Sequence, residues 1–455
     1  MNHTSLRHRF GPWSVGVVAL TTALVGGPSW ALDLSQALEA ALEQDPTIRA
    51  VRAATLARQE RVPQARAQLM PNVSLSASRN NNDLENTAPN FLGEPATTNS
   101  RYVSGNATLT VRQPLFRKYQ FADYQQAQSQ VDDANAVLER ELQNLAVRVS
   151  GAYFEALQAS EQLALVLAQK TAYSTQLDAA RKRFNGGAGT RTDIDEAQAA
   201  LDLNLAQELE ARQNITFTRR QLQMMIGRPV DNLSTVDPSK LELTNPSPDS
   251  VDTWVERAEA HSPEIQSLRA QLEAARLEIE KARSGHYPTL DAIAQWSRSE
   301  SENVTSVNTS YKNRSIGLQF NLPLYSGGYV SSTVRQALAE QERATQALEA
   351  MRRDIDIRVH KEFRGVTEGV LKVKALEQAV RSTEQVAISN RRSFEAGSRT
   401  LMDTLNAEQQ RVSAQRDLAQ ARLIYLISRV RLHALTGGAK EEAISQINGW
   451  LTPTP

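Results

Sequence analysis

Gly317-Leu318-Gln319-Phe320-Asn321-Leu322-Pro323-Leu324-Tyr325 is the stretch on which the fold turns. With Ile316 it places apolar side chains at every second residue, separated by Gly317, Gln319 and Asn321. A period of two with one apolar face marks a strand that buries one side only. Proline then closes the run, where a donor-less residue suits a strand end. The same phrase occurs 209 residues earlier as Leu109-Thr110-Val111-Arg112-Gln113-Pro114-Leu115-Phe116. One strand ending is written twice.

Working outward, the rest of the chain is doubled too. Upstream of each phrase lies a second alternating run, Val73, Leu75 and Ala77 in one half and Leu290, Ala292, Ala294 and Trp296 in the other. Asp45-Pro46-Thr47-Ile48 returns as Ser262-Pro263-Glu264-Ile265, and Phe184-Asn185-Gly186-Gly187 as Phe394-Glu395-Ala396-Gly397. The length difference falls in one place: Pro71 to Pro114 spans 43 residues and Pro288 to Pro323 spans 35. The segments Asn80 to Arg101 and Arg298 to Arg314 are rich in Asn, Ser and Thr, which predicts exposed hairpin loops. Trp296, Tyr102 and Tyr311 are candidates for interfacial aromatic girdles. Pro71, Pro114, Pro288 and Pro323 are expected to mark helix–strand junctions. Two similar units are predicted at 32–227 and 251–437, with a Pro-rich linker at 228–250 and an irregular tail at 438–455.

Between strands the pattern is helical and long. Phe121 to Asn185 contains no proline and a single glycine, and roughly 330–396 contains only Gly365 and Gly369. A helix of 65 residues would measure about 100 Å. Leu138, Leu142, Leu145 and Val149, like Val366, Val370 and Val373, step by three and four, which is coiled-coil spacing. A second helix of each pair follows Gly186-Gly187-Ala188-Gly189 or Gly397-Ser398 and runs to Gly227 or Gly437, which suit helix C-caps. Shorter helices are expected from Leu34 to Gln68 and from Val251 to Arg283.

Residues 1–31 read as a signal peptide, with Arg7 and Arg9 before an apolar run and Ser29-Trp30-Ala31 at the cleavage site. The chain has 51 basic and 51 acidic residues and no cysteine. Near-neutrality gives no basis for nucleic-acid binding. Without cysteine there is no disulfide framework, thiolate metal site or N-terminal lipid attachment. The six histidines are scattered, and no HExxH, Walker, GxSxG or GxGxxG motif occurs. No enzyme, metal or cofactor is expected.

Only helices and closed barrels cross a bilayer. The long helices are too charged to do so, and four strands are too few, since the smallest outer-membrane barrels have eight. If the strands span a membrane, copies of the chain must share a barrel.

Gly285-His286-Tyr287-Pro288-Thr289-Leu290-Asp291, the stretch from Gly317 to Gly328, and Phe394 to Asp403 resemble the TolC-type outer-membrane efflux and secretion proteins. The similarity extends over the mature chain, including the duplication. It implies an α+β fold in a homotrimer, with a twelve-stranded barrel in outer-membrane lipid continued by a twelve-helix tunnel through the periplasm. It also implies a periplasmic adaptor and an inner-membrane transporter of the ABC or RND class as partners.

The resemblance places the gate at the hairpin tips. Asp403 would supply one carboxylate per chain to a constriction ring, while Arg399 would link neighbouring hairpins through Thr192 and Asp193. Gly187, Gly189, Thr190, Gly397, Ser398 and Thr400 would form the adaptor-docking tips. Asn406 stands where the family often has a second acid, and Phe394 where a tyrosine often joins the gate. The residues alone support a simpler role: Thr190 with Asp193, and Thr400 with Asp403, match helix N-caps. An exported coiled-coil scaffold or adaptor without a pore would explain the helices but not the paired strands.

Overall fold

A computed structural model describes residues 31–302 and 308–452. The signal peptide lies outside the described residues save for Ala31. The chain runs α1 (Leu34–Gln44), α2 (Pro46–Gln59), α3 (Arg61–Ala67), β1 (Asn72–Pro89), β2 (Pro95–Phe116), α4 (Lys118–Asn185) and α5 (Arg191–Ile226). After β3 (Thr235–Val236) the order repeats: α6 (Val251–His261), α7 (Pro263–Arg283), β4 (Thr289–Ser301), β5 (Thr309–Asn321), α8 (Tyr329–Glu395) and α9 (Leu401–Leu435). The chain closes with α10 (Ser445–Gly449) and β6 (Leu451–Thr452). No described helix is long and apolar enough to cross a membrane.

The four long strands form one antiparallel sheet in the order β1-β2-β4-β5, joining the two halves between β2 and β4. Its register aligns the apolar residues side by side: Val73, Val111, Ala294 and Ile316 make one row, and Leu75, Leu109 and Trp296 the next, which Arg314 closes on β5. Between them lies a row of opposite facing, Ser74, Thr110, Gln295 and Ser315. The sheet therefore has one apolar and one polar face. In the single chain the apolar face is bare, with Leu75 71%, Ile316 88% and Leu318 69% exposed. Pro114 stands at the register shift where β2 ends.

Two expectations change here. The polar segment Asn80–Arg101 is not a loop: β1 and β2 stay paired up to Pro89 and Pro95, and only a short turn joins them. Likewise β4 and β5 remain paired as far as Ser301 and Thr309. Asn, Ser and Thr suppress the two-residue signal because both faces of these outer ends are polar. The aromatic trio also divides. Trp296 lies on the apolar face, whereas Tyr102 (opposite Asn82) and Tyr311 (opposite Ser299) lie on the polar one.

The main core belts the middle of the long helices. Leu145, Val149, Tyr153 and Leu157 of α4 meet Ile355, Val359 and Val366 of α8, Tyr425 and Leu426 of α9, and the short helices α1 and α6. Gly365 and Gly369 let α8 approach α9: a Cβ on Gly365 would lie 2.7 Å from the Ser428 Oγ, and one on Gly369 3.3 Å from the Tyr425 ring.

The linker and tail are more ordered than their composition suggests. β3 pairs with β6, and Leu32 bridges Leu233. The Tyr153 hydroxyl lies 2.9 Å from the Leu32 carbonyl and 2.8 Å from that of Ser234. Ile447, Trp450 and Leu451 of the tail are buried in the main core. The predicted helix from Leu34 to Gln68 is three helices, and that from Val251 to Arg283 is two. Each is interrupted before proline, where Asp45 and Ser262 adopt extended ψ values.

Candidate functional site

Each hairpin tip is built by the same local code. α4 ends at Asn185 and Gly187 turns the chain at φ +74°. Its amide donates to the Phe184 carbonyl, and that of Ala188 to Arg183. The second tip repeats these two bonds: Gly397 has φ +80°, its amide donates to Phe394, and that of Ser398 to Ser393. Left-handed geometry at the end of a helix favours glycine. At Gly189, a Cβ would lie 3.0 Å from the Phe184 nitrogen.

Threonine starts the return helix at both tips. The Asp193 amide donates to the Thr190 hydroxyl (3.2 Å) and the Thr190 amide to the Asp193 carboxylate (3.0 Å). Thr400 and Asp403 form the same box at 3.2 and 3.1 Å, and the Thr400 hydroxyl adds a bond to the carboxylate at 2.8 Å. Arg399 approaches Asp403 at 3.8 Å. The Thr400 hydroxyl and amide, helped by Arg399, hold the Asp403 carboxyl below its ordinary range. Within one chain Asp403 is thus an anchored carboxylate at a positive helix end.

The two tips of one chain are joined. Phe394 packs on a small cluster made by Tyr173, Leu177 and Ala180 of α4, Ala197 of α5, and Leu401 and Leu405 of α9. Arg183 stands 4.4 Å over the Phe394 ring and donates to the carbonyls of Phe394 and Glu395, both at 3.2 Å. No sequence motif singles out Arg183, because its partners lie more than 200 residues away. Asn406 lines a groove of about 930 Å³ beside Met402 and Leu405, facing Leu203 and Asn204 of α5. Arg399 lies by the carboxylate of its own chain, and Thr192 and Asp193 remain at the exposed start of α5.

At the other end of the long helices, Asp291 at the base of β4 bonds Arg112 of β2 and Arg117 ahead of α4, with contacts of 2.5 Å to each. Asp291 is buried, so this triad ties the sheet to the first hairpin.

Comparison with known proteins matches the family model described as outer membrane efflux protein at residues 37–228 and 254–438, one segment in each half. The proteases secretion protein PrtF of Dickeya chrysanthemi is 31% identical over 96% of this chain and 95% of its own. The alkaline protease secretion protein AprF of Pseudomonas aeruginosa is 32% identical over 94% and 89%. The crystal structure of the outer membrane protein VceC of Vibrio cholerae superposes with a TM-score of 0.74 at 21% identity, covering 89% of this chain and 96% of that one. With both halves matched and the relatives covered nearly end to end, the chain belongs to the TolC-type outer membrane efflux proteins and forms an outer-membrane exit duct for secretion or efflux.

Proposed function

We propose that three copies close a twelve-stranded barrel and that the resulting duct exports a protein, working with a periplasmic adaptor and an inner-membrane transporter of the ABC class. The observation that carries the assembly is the sheet of four strands, whose edges β1 and β5 are unpaired and whose apolar face is bare among the described residues. Open edges cannot persist in hydrocarbon. Pairing β1 of one copy with β5 of the next satisfies both edges, and three copies give twelve strands, within the range of bacterial barrels. The long hairpins then continue the barrel as a tunnel. The protein cargo is inferred from the two relatives named for protease secretion.

In this reading the tips form the closed end. Asp403 contributes the constriction ring, Arg399 reaches Thr192 and Asp193 of a neighbour, and Asn406 lines the wall behind the ring. Gly187, Gly189, Thr190, Gly397, Ser398 and Thr400 offer the exposed turn that an adaptor grips.

The test is deletion of the gene with separate assays of protein secretion and drug resistance, and the mass of the purified complex in detergent. Loss of a secreted protein with unchanged drug resistance supports the assignment. Loss of drug resistance alone assigns the duct to small-molecule efflux with an RND-type pump. A folded monomer soluble without detergent refutes the barrel.

A further inference from the structure

The apolar face of the sheet ends in cations at one edge only. Trp296 sits directly opposite Arg314, and one row further along Arg298 sits directly opposite Lys312. Both rows belong to the apolar face, since Trp296 aligns with Leu109 and Leu75, and Arg298 with Ala107 and Ala77. Arg79 and Glu300 share the next row through Gly105. At the opposite edge of the band Leu290 lies beside Phe116 and Phe320, with no cation among them.

This arrangement is costly for the protein alone. Like charges directly opposite each other on neighbouring strands destabilise a sheet. Arg298 is paired with Glu300, its Nε 2.6 Å from the carboxylate. Among the described residues, Lys312, Arg314 and Arg79 have no ion-pair partner. Within these three rows four cations therefore meet one acid, Glu300, while Glu302 and the Asp83–Arg101 pair lie in the rows beyond.

We propose that Arg298, Lys312 and Arg314 bind the phosphates of a phosphorylated glycolipid in the outer leaflet. The rim lies at the hairpin end of the sheet, away from the helices, so in the membrane it faces the outer leaflet. Adjacent strands stand about 4.8 Å apart and successive rows about 7 Å, so the three cations can converge on one phosphate or share two. The Arg forks supply bidentate contacts, and Lys312 a point charge. The acyl chains then lie along Trp296, Leu109, Ala294, Ile316 and Leu318 below. Charge and hydrophobicity select the same ligand from one surface.

The inference rests on the barrel reading, and the experiment separates the two. Trimer recovered from the outer-membrane fraction would be stripped of lipid, offered bisphosphorylated lipid A, and assayed for retained lipid by native mass spectrometry. Parallel samples would receive dephosphorylated lipid A, phosphatidylglycerol or inorganic phosphate. Wild type is expected to retain bisphosphorylated lipid A preferentially. The triple variant Arg298→Ser/Lys312→Ser/Arg314→Ser should retain about tenfold less. Glu300→Gln, which frees Arg298, should retain more. A control removing three helix cations, Arg276→Ser/Arg343→Ser/Arg353→Ser, should match wild type. Equal retention by the triple variant overturns the site, as does equal retention of dephosphorylated lipid A. Equal binding of phosphatidylglycerol, or equal occupancy by inorganic phosphate, overturns its assignment to the outer-leaflet glycolipid. If the triple variant does not assemble, the comparison of lipid A with its dephosphorylated form on wild type decides. Intact trimers that retain no lipid remove this inference alone, whereas failure of wild type to trimerise removes the barrel as well.

Discussion

Arg183 spans the two hairpin tips of one chain, its guanidinium 4.4 Å over the Phe394 ring and its donors on the carbonyls of Phe394 and Glu395. A ring without a hydroxyl cannot hydrogen-bond across the tip. The arginine supplies the link instead, through the π face and the carbonyls at the end of α8. A partly exposed cation–π contact contributes about 0.5–1 kcal/mol, and helix-end carbonyls are ready acceptors. Three such clasps in a trimer would bias the tips towards closure while leaving each one easily undone.

Arg183→Ala should therefore raise single-channel conductance in planar bilayers while trimers remain intact on native gels. Arg183→Lys should fall between the variant and wild type, because it keeps the charge but loses the planar fork. Wild-type conductance in Arg183→Ala would show that the clasp has no part in closure.

Arg399→Ser combined with Asp193→Ala tests links between chains. Exposed ion pairs are individually weak, about 0.2–1 kcal/mol, so the effect depends on threefold repetition. The double variant should increase conductance and admit large antibiotics into cells. Each change made singly should do less. If leakage is unchanged in the double variant, Arg399 and Asp193 act only within their own turns.

The state of Asp403 is set by Thr400, which gives a pH prediction with a definite sign. A carboxyl held below its ordinary value of 3.8 stays charged as pH falls through that value and loses charge only below it. Thr400→Val removes the largest lowering contribution, so cation selectivity should disappear at a higher pH than in wild type. Asp403→Ala should abolish selectivity and block by multivalent cations at every pH, with assembly intact. Reversal potentials measured across a pH series decide the matter. Coincident titration curves for Thr400→Val and wild type would place the selective charge elsewhere.

The strand faces give the sharpest contrast. Leu318 and Phe320 align with Ala292 and Leu290 on the apolar face, whereas Gln319 aligns with Asp291 on the other. Leu318→Arg should impair insertion, since arginine near a barrel midplane costs about 2–4 kcal/mol. Gln319→Arg should assemble normally. The yield of heat-modifiable trimer in the outer membrane is the measurement, and equal damage at both positions would refute the register.

What the sequence determined by itself is everything that depends on near neighbours. Alternation in Ile316–Leu322 marked a strand because side-chain direction repeats every two residues. Threonine with aspartate three residues on marked the starts of α5 and α9, and glycine the turns before them, because caps are made within one turn of helix. The doubled phrases made two similar units apparent without any fold in hand. Tertiary structure alone decided relations between distant segments. Tyr102 and Tyr311 could be assigned a face only once β2 and β5 were seen to run unbroken from them to Leu109 and Ile316. Polar residues on both sides of Asn80–Arg101 carry no periodic contrast, so pairing across the hairpin, rather than pattern, makes them strand. The tail is buried because the main core accepts Ile447 and Trp450, and Arg183 meets Phe394 because two hairpins pack together. Periodicity records how a segment faces water or lipid, and it holds no information about which other segment lies against it.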